Sequence, residues 1–124
     1  MTSRAIVIET VHVAPSVNAL FGTNWSTKKR FATKPYEDWQ KAAGWDFNGK
    51  GHIAGEYRLV VTIDKRAVGV RSDLSNRIKA IEDLLVKHGI VDDDHLCVHL
   101  AALWQPLPNR GMRIEVIPET GVAV

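Results

Sequence analysis

The sequence predicts a single α+β (mixed α/β) domain, in which one main helix at residues 73–88 packs on a mixed β-sheet. The length of 124 residues is typical of one compact domain that spans the whole chain, 1–124. Segments rich in Val and Ile predict strands, whereas the apolar residues of 73–88 recur at helical spacing. Strands interspersed with helices favour helices packed on one sheet.

The first half of the chain predicts two strands with a loop and a short helix between them. Residues 5–13 and 56–64 are rich in β-branched side chains, which favour strands. Residues 16–34 show no clear period and therefore indicate a long, mobile loop. Pro35 is suited to the first turn of a helix, which predicts a short helix over residues 36–43.

Residues 73–88 give the clearest helical pattern of the chain. Four apolar residues fall on one face at 100° per residue, namely Leu74, Ile78, Ile81 and Leu85. Ser72 or Asp73 is suited to the N-cap, and Gly89 is suited to the position that follows the last turn. A helix with both end signals is predicted here.

The last third of the chain predicts a turn and two more strands. The three aspartates at 92–94 follow the helix and indicate a turn, and residues 96–103 are apolar enough for a strand. Residues 106–111 resemble a hairpin connection, and residues 112–117 predict the final strand.

The charge is mildly basic overall but unevenly placed. The net charge is +2 and the pI is about 8.8. Basic residues form two groups, Lys28, Lys29, Arg30 and Lys34, and then Lys65, Arg66 and Arg71. The densest acidic run is 92–94. A basic rim around an acidic focus suits a metal-using enzyme that acts on a polyanion, although solvated surface charge gives the same totals.

Cysteine usage and hydropathy favour a cytoplasmic protein. Cys97 is the one cysteine, so a disulfide within the chain is excluded, as is typical of a reducing compartment. The N-terminal residues lack the apolar segment of a signal peptide, and no apolar run approaches the length of a membrane span. We therefore expect no membrane association.

The segment from Arg71 to Asp94 carries the residues best suited to catalysis. Asn76, Lys79 and Asp83 fall on one polar stripe of the predicted helix, nearly opposite its apolar face. If the chain turns back along the helix, the carboxylates of 92–94 approach Asp73 and could hold Mg²⁺ or Mn²⁺. Such a metal activates a water for phosphodiester cleavage, Lys79 is suited to the phosphate, and Asn76 to a bound water.

Each of these residues also has a structural explanation. Asp73 could cap the helix, and Lys79 with Asp83 could form an exposed ion pair worth a few tenths of a kcal/mol. The aspartates at 92–94 could form a solvated turn, although their mutual repulsion favours a nearby cation. His95 and His99 would suit zinc only on a helix, and that stretch predicts a strand.

The spacing of this segment identifies a family resemblance. It runs Asp73-Leu74-x-Asn76-x-x-Lys79-Ala80, then Asp83-x-Leu85, Gly89 and Asp93-Asp94. This pattern resembles the RusA family of Holliday junction resolvases without a gap. Near the N-terminus, Pro15-Ser16-Val17-Asn18 looks like the Pro-Ser-x-Asn start of that family's first loop.

The resemblance implies a homodimer that binds four-way DNA junctions and nicks two strands in recombination and repair, using Mg²⁺ or Mn²⁺. Family members often come from prophages. Asp73, Lys79 and Asp94 match the family's catalytic positions, and Asp73, Asp93 and Asp94 would be the metal ligands. The DNA backbone would be contacted by the basic residues Lys28, Lys29, Arg30, Lys65, Arg66 and Arg71.

One position departs from the family pattern. RusA-like sequences usually read Asp-x-Asp-Asn, whereas this chain reads Asp73-Leu74-Ser75-Asn76, so a hydroxyl replaces the second carboxylate. Another acid compensates (Asp83, Asp92 or Asp93), or the metal binds more weakly. A RusA-like protein that binds branched DNA with little or no cleavage is therefore an alternative. An unrelated enzyme acting on a small phosphorylated metabolite is a third hypothesis.

Overall fold

The structure is a computed structural model that describes residues 4–69 and 72–119. Its strands and helices follow the order β1 (Ile6–Thr10), β2 (Phe21–Asn24), β3 (Lys29–Ala32), α1 (Lys34–Phe47), β4 (Tyr57–Ile63), α2 (Ile78–Lys87), β5 (Cys97–Trp104) and β6 (Met112–Pro118). Short 3-10 turns connect several of them. Within the described residues, no helix is long and apolar enough to span a membrane.

The main sheet has four strands in the order β1-β6-β4-β5. β6 pairs antiparallel with β1 and with β4, whereas β5 runs parallel to β4. The parallel pair requires a crossover connection, and α2 lies in that connection. The sheet is mixed and carries helices, so the predicted α+β class is confirmed.

The hydrophobic core lies against the central strand β4. Leu59, Val61 and Ile63 are fully buried on β4, and they join a single cluster of buried apolar residues from both helices and the neighbouring strands. β4 has a partner on each side, so its backbone hydrogen bonds are satisfied and its side chains can be buried.

The predicted helix at 73–88 is present but begins differently. Residues Leu74–Arg77 form a 3-10 turn, and the α-helix proper is α2. Asp73 has extended backbone angles in the N-cap position, but its side chain makes no capping hydrogen bond. Ile78, Ile81 and Leu85 are buried as the periodicity predicts. Gly89 has a φ of 69°, which suits the glycine that ends the helix.

The expectation of one main helix was wrong, because α1 is longer than α2. It covers 14 residues, whereas a short helix over 36–43 was predicted. The Thr33 side chain accepts a hydrogen bond from the Tyr36 backbone N–H at 3.4 Å and caps the helix. Trp39, Ala43 and Phe47 recur every four residues and are buried against the core. Core packing therefore extends the helix past Gly44, which a propensity argument treats as unfavourable.

The prediction of a mobile loop at 16–34 was also wrong, because most of this segment forms the β2–β3 hairpin. The two strands pair antiparallel from Phe21 with Ala32 to Asn24 with Lys29. The Asn24 side-chain oxygen accepts hydrogen bonds from the backbone N–H groups of Ser26 and Thr27, at 3.0 and 3.3 Å. This side chain organises the turn, and a search for hydrophobic alternation misses such a hairpin.

Candidate active site around Lys79

Lys79 on the first turn of α2 joins two carboxylates from different segments. Its Nζ lies 3.0 Å from Asp83 Oδ1, one turn further along the helix, and 3.1 Å from Asp94 Oδ2, in the 3-10 turn that precedes β5. We call Lys79, Asp83, Asp93 and Asp94 the Lys79 cluster. The polar stripe and the acidic run therefore meet at one lysine.

The chain reversal after α2 positions Asp94. Gly89 ends the helix, and the next segment is fixed to the core by Ile90 and Val91, which are buried. The backbone N–H of Ile53 donates to the Ile90 carbonyl at 2.8 Å, and Ile53 forms an isolated parallel bridge with Val91. These contacts hold the segment leading to Asp94 beside the helix that carries Lys79.

The two carboxylates keep the lysine charged. The hydrogen bond with Asp83, followed by the one with Asp94, raises the pKa of Lys79 well above its ordinary value. The Lys79 side chain is still 46% exposed. The cluster therefore presents a charged ammonium to solvent beside two carboxylates.

Tyr36 connects the Lys79 cluster to α1. Its hydroxyl donates to Asp83 Oδ2 at 3.4 Å, and its ring packs edge-on against Phe21 with centroids 5.6 Å apart. Burial raises the pKa of Tyr36, and the negative charge of Asp83 adds to the effect. The same tyrosine thus contacts the cluster on one side and the base of the β2–β3 hairpin on the other.

Asp73 lies at the start of the 3-10 turn, and its carboxylate is not used to cap that turn. Asp73 Oδ2 accepts a hydrogen bond from the Asn76 side-chain amide at 3.3 Å, so the helix-capping explanation does not describe its side chain. Ser75 lies in the same 3-10 turn. Arg77 donates to the Ala14 carbonyl at 2.9 Å and to Ser72 Oγ at 3.2 Å. Arg77 therefore connects Ala14, the residue before the Pro-Ser-x-Asn segment, to this turn.

The three acids named as substitutes for the missing carboxylate have different partners. Asp83 contacts Lys79 directly. Asp93 accepts from the His95 backbone N–H and contacts its ring nitrogen, both at 3.3 Å. Asp92 contacts His52 Nε2 at 2.8 Å. Among these three, Asp83 is the acid that shares a partner with Asp94.

Glu82 and Tyr57 belong to the surroundings of the Lys79 cluster, and neither was predicted as a site residue. Burial, followed by the charge of Asp94, raises the pKa of Glu82. Burial also raises the pKa of Tyr57, whose hydroxyl is buried without a hydrogen-bond partner among the described residues. The adjacency of Glu82 to Asp83 was a usable signal, whereas Tyr57 on β4 had none in the sequence.

The predicted DNA-binding residues occupy separate parts of the molecule. Lys28, Lys29 and Arg30 lie on the β2–β3 hairpin, and all three are exposed. Lys65 and Arg66 lie in the 3-10 turn after β4. The Lys65 ammonium lies 5.2 Å from the Trp104 ring centre, and Arg66 binds the buried Asp64. Arg71 lies outside the described residues.

The carboxylates of the predicted ligands Asp73, Asp93 and Asp94 suit Mg²⁺ or Mn²⁺, but the described residues do not bring the three together as one preformed site. Within residues 4–69 and 72–119, no three His, Cys, Asp or Glu side chains converge closely enough to hold a metal ion. Mg²⁺ is often held by one or two carboxylates together with waters and a substrate phosphate. Asp73, Asp93 and Asp94 supply the hard oxygen atoms that such a site needs.

No protein-family model matches this chain, and no curated protein matches it closely enough to identify a relative.

Proposed function

We propose that this chain is a metal-dependent, structure-selective DNA endonuclease of the RusA type, which resolves four-way junctions by paired nicks during recombination or repair. The observation that carries the proposal is the position of Lys79 between Asp83 and Asp94. Lys79 and Asp94 are two of the three positions that the family resemblance assigns to catalysis. Their contact across the helix and the following turn supports one site rather than two unrelated charges.

Lys79 is suited to binding the scissile phosphate. Its ammonium is charged and half exposed, so a phosphate oxygen can approach it from solvent. Preorganised positive charge stabilises the negative charge that develops on the phosphate oxygens in the transition state. Asp83 and Asp94 hold the ammonium in position, and Tyr36 in turn holds Asp83. The lysine therefore need not be ordered when the substrate arrives.

Asp73, Asp93 and Asp94 are the proposed metal ligands, with Mg²⁺ or Mn²⁺ as the ion. When bound, the ion polarises the phosphate and lowers the pKa of the attacking water. The Asn76 amide holds the Asp73 carboxylate at 3.3 Å and so orients it. Asp83 offsets only part of the charge that RusA-like sequences carry at the position of Ser75, because it lies beside Asp94 but is itself paired with Lys79.

The basic residues are proposed to bind the DNA backbone. Lys28, Lys29, Arg30, Lys65 and Arg71 would contribute positive charge that releases counterions on binding. Arg66 would contribute less, because its guanidinium is bound to Asp64 through Nε and Nη2 at 2.6 to 3.2 Å. The proposed location is the cytoplasm, where the single Cys97 stays reduced.

We propose a homodimer that covers the edge strand β5. The strand ends the sheet, its sequence CVHLAALW contains no Asp, Glu, Lys or Arg, and Val98, Leu100 and Leu103 are exposed. Natural proteins usually protect such an apolar edge with charge or with a covering element. A second copy related by a two-fold axis would cover this edge. It would also supply a second active site for the second DNA strand of the junction.

A branched-DNA-binding protein without cleavage is the second candidate, and Ser75 favours it. A serine hydroxyl supplies no negative charge at the position where RusA-like sequences carry a second carboxylate. Loss of one ligand charge weakens a magnesium site more than it weakens phosphate binding by lysines.

A nicking assay on a synthetic four-way junction separates the two candidates. Purified protein, junction and either Mg²⁺ or Mn²⁺ are expected to give symmetric nicks near the branch point, whereas a linear duplex of the same sequence stays intact. Tight junction binding without nicks at any metal concentration would overturn the endonuclease proposal and favour the binding protein. The absence of salt-sensitive DNA binding would overturn both.

A further inference from the structure

The tip of the β2–β3 hairpin presents a large aromatic side chain among cations. Trp25, the first residue of the turn, is 83% exposed. Lys28, Lys29 and Arg30 follow it, and no acidic residue occurs anywhere from Leu20 to Lys34. The ion pairs among the described residues include Lys34 but none of these three cations.

The hairpin holds this tip in a defined shape. Asn24 organises the turn through its side-chain oxygen, and Lys28 adopts a φ of 57° at the turn's last residue. The Phe31 ring lies so close over Gly22 that a Cβ there would meet the ring at 2.6 Å. Arg30 stacks its guanidinium on the Phe21 ring, 3.7 Å from its centre. The indole is therefore carried on a structured ribbon rather than on a loose loop.

The base of the hairpin is fixed to the element that contacts the Lys79 cluster. The Thr33 backbone N–H donates to the Leu20 carbonyl at 3.0 Å, and Thr33 is also the N-cap of α1. Phe21 packs against Tyr36, and the Tyr36 hydroxyl donates to Asp83. A nucleic acid bound along the hairpin would therefore lie next to the part of α1 that contacts the proposed active site.

The chemistry of the tip fits DNA whose bases are unstacked. Lysine and arginine side chains bind phosphates of any sequence, and an aromatic ring stacks on any exposed base. In linear duplex DNA the base faces are covered by their neighbours, whereas at a branch point or in a single strand they are accessible. An indole at a basic tip is therefore suited to branched DNA rather than to linear duplex.

We propose that Trp25 stacks on an unstacked base at the branch point and thereby gives the protein its preference for junctions over linear duplex. This inference rests on the proposed function, because it takes branched DNA as the ligand. Trp25 is a specificity residue in this proposal and takes no part in cleavage.

Binding measurements with matched tryptophan variants test the proposal. The full-length protein and its Trp25→Ala, Trp25→Phe and Trp45→Ala variants are titrated, at one salt concentration and in EDTA, against a four-way junction and a linear duplex of the same sequence. Trp45 is the matched control, because it is also 83% exposed but lies on α1. A 2-aminopurine at the branch point reports stacking by its fluorescence.

We expect Trp25→Ala to weaken junction binding about tenfold and to leave duplex binding nearly unchanged, since one base-stacking contact is lost. Trp25→Phe keeps most of the junction affinity, Trp45→Ala keeps all of it, and the 2-aminopurine response disappears only in Trp25→Ala. Unchanged melting temperatures verify the fold of each variant.

Two results would overturn the inference while leaving the proposed function intact. One is wild-type junction affinity in Trp25→Ala, and the other is an equal loss on junction and duplex. A wild-type protein that binds junctions through Trp25 but never nicks them would support the inference and overturn the endonuclease proposal. A wild-type protein without junction preference would overturn the inference.

Discussion

The pair of Asp64 with Arg66 and the Lys79 cluster both join acidic and basic side chains, but they differ in burial and in how many hydrogen bonds the carboxylates accept. Asp64 is 1% exposed, and its carboxylate accepts from Arg66 Nη2 at 2.6 Å and from the backbone N–H of Leu107 at 2.9 Å. Lys79 is 46% exposed and faces two carboxylates. The Asp64 group is closed to solvent at its carboxylate, whereas the Lys79 cluster is open.

The difference separates a residue that holds the fold from one that can bind a ligand. Asp64 connects the end of β4 to the β5–β6 connection, and its loss would leave buried donors without acceptors. Lys79 can exchange one carboxylate for a phosphate oxygen, because its head group is exposed to solvent. Both regions were predicted to bind DNA or act on it, and this contrast favours that role for Lys79 over Arg66.

The largest expected effect is on the cleavage that we propose for the Lys79 cluster. Asp94→Asn is expected to reduce the nicking rate at least 100-fold, because it removes a proposed metal ligand and one of the two partners of Lys79. Junction binding should be kept or tightened, since a negative charge facing phosphate is lost. Nicking kinetics at saturating protein measure the effect.

Asp92→Asn is the matched control for this prediction. Asp92 is two residues from Asp94, but its carboxylate contacts His52 at 2.8 Å rather than Lys79. This variant should nick junctions at nearly the wild-type rate. Equal rates for Asp94→Asn and the wild type would show that the cluster is not the active site.

The pair of Asp64 with Arg66 should affect the stability of the fold rather than the proposed activity. Asp64→Asn is expected to lower the melting temperature by roughly 5–10 °C, because its amide cannot accept all the buried hydrogen bonds and leaves Arg66 without a counter-charge. The nicking rate well below the melting temperature should stay close to that of the wild type. Calorimetry and the nicking assay measure the two quantities.

The exposed pair of Lys34 with Asp38 supplies the control for Asp64. Its atoms lie 3.1 Å apart on the surface of α1, so Asp38→Asn should change the melting temperature by less than about 2 °C. Similar shifts in the two variants would contradict the distinction between closed and open groups.

Adding a carboxylate at position 75 tests whether Ser75 limits metal binding at the proposed active site. Ser75→Asp is expected to raise the nicking rate about tenfold at low Mg²⁺ concentration, because it creates the Asp-x-Asp-Asn pattern of RusA-like sequences and adds ligand charge. The metal concentration that gives half-maximal nicking should fall in parallel. An unchanged metal dependence would mean that Asp83 already compensates for the missing acid.

The smallest expected effect is the acid dependence of stability. The hydrogen bond from Arg66, followed by the one from the Leu107 backbone, lowers the pKa of Asp64 well below its ordinary range. The stability that Asp64 contributes is therefore complete above the unfolded pKa of about 3.9 and is lost as the pH falls below it. Urea unfolding at about pH 6 and about pH 3 should show a smaller acid loss in Asp64→Asn than in the wild type.

Much of the fold could be predicted from local patterns. The strands predicted at 56–64 and 112–117 match β4 and β6, and the apolar face of α2 has the predicted residues. The hairpin and the length of α1 could not be predicted in the same way. Asn24 organises the turn through its side chain, and the core packing of Phe47 extends α1 past Gly44.

The candidate site also has one part that the sequence predicts and another that it does not. The stripe of Lys79 and Asp83 follows from helical spacing, because the two residues are one turn apart. The contact of Lys79 with Asp94 spans 15 residues, and that of Tyr36 with Asp83 spans 47. Contacts over such separations depend on how elements pack, so a single sequence gives no direct signal for them.

The sequence by itself determined the α+β class, the buried face and end of α2, and the presence of a charged stripe beside an acidic run. These features depend on neighbours within one or two turns of the same chain segment. Only the tertiary structure decided which carboxylates meet Lys79, that Arg66 is bound to Asp64, and that Trp25 is exposed at a hairpin tip. Burial and partner choice arise from packing between segments, and packing determines whether a charge stabilises the fold or remains available to a ligand.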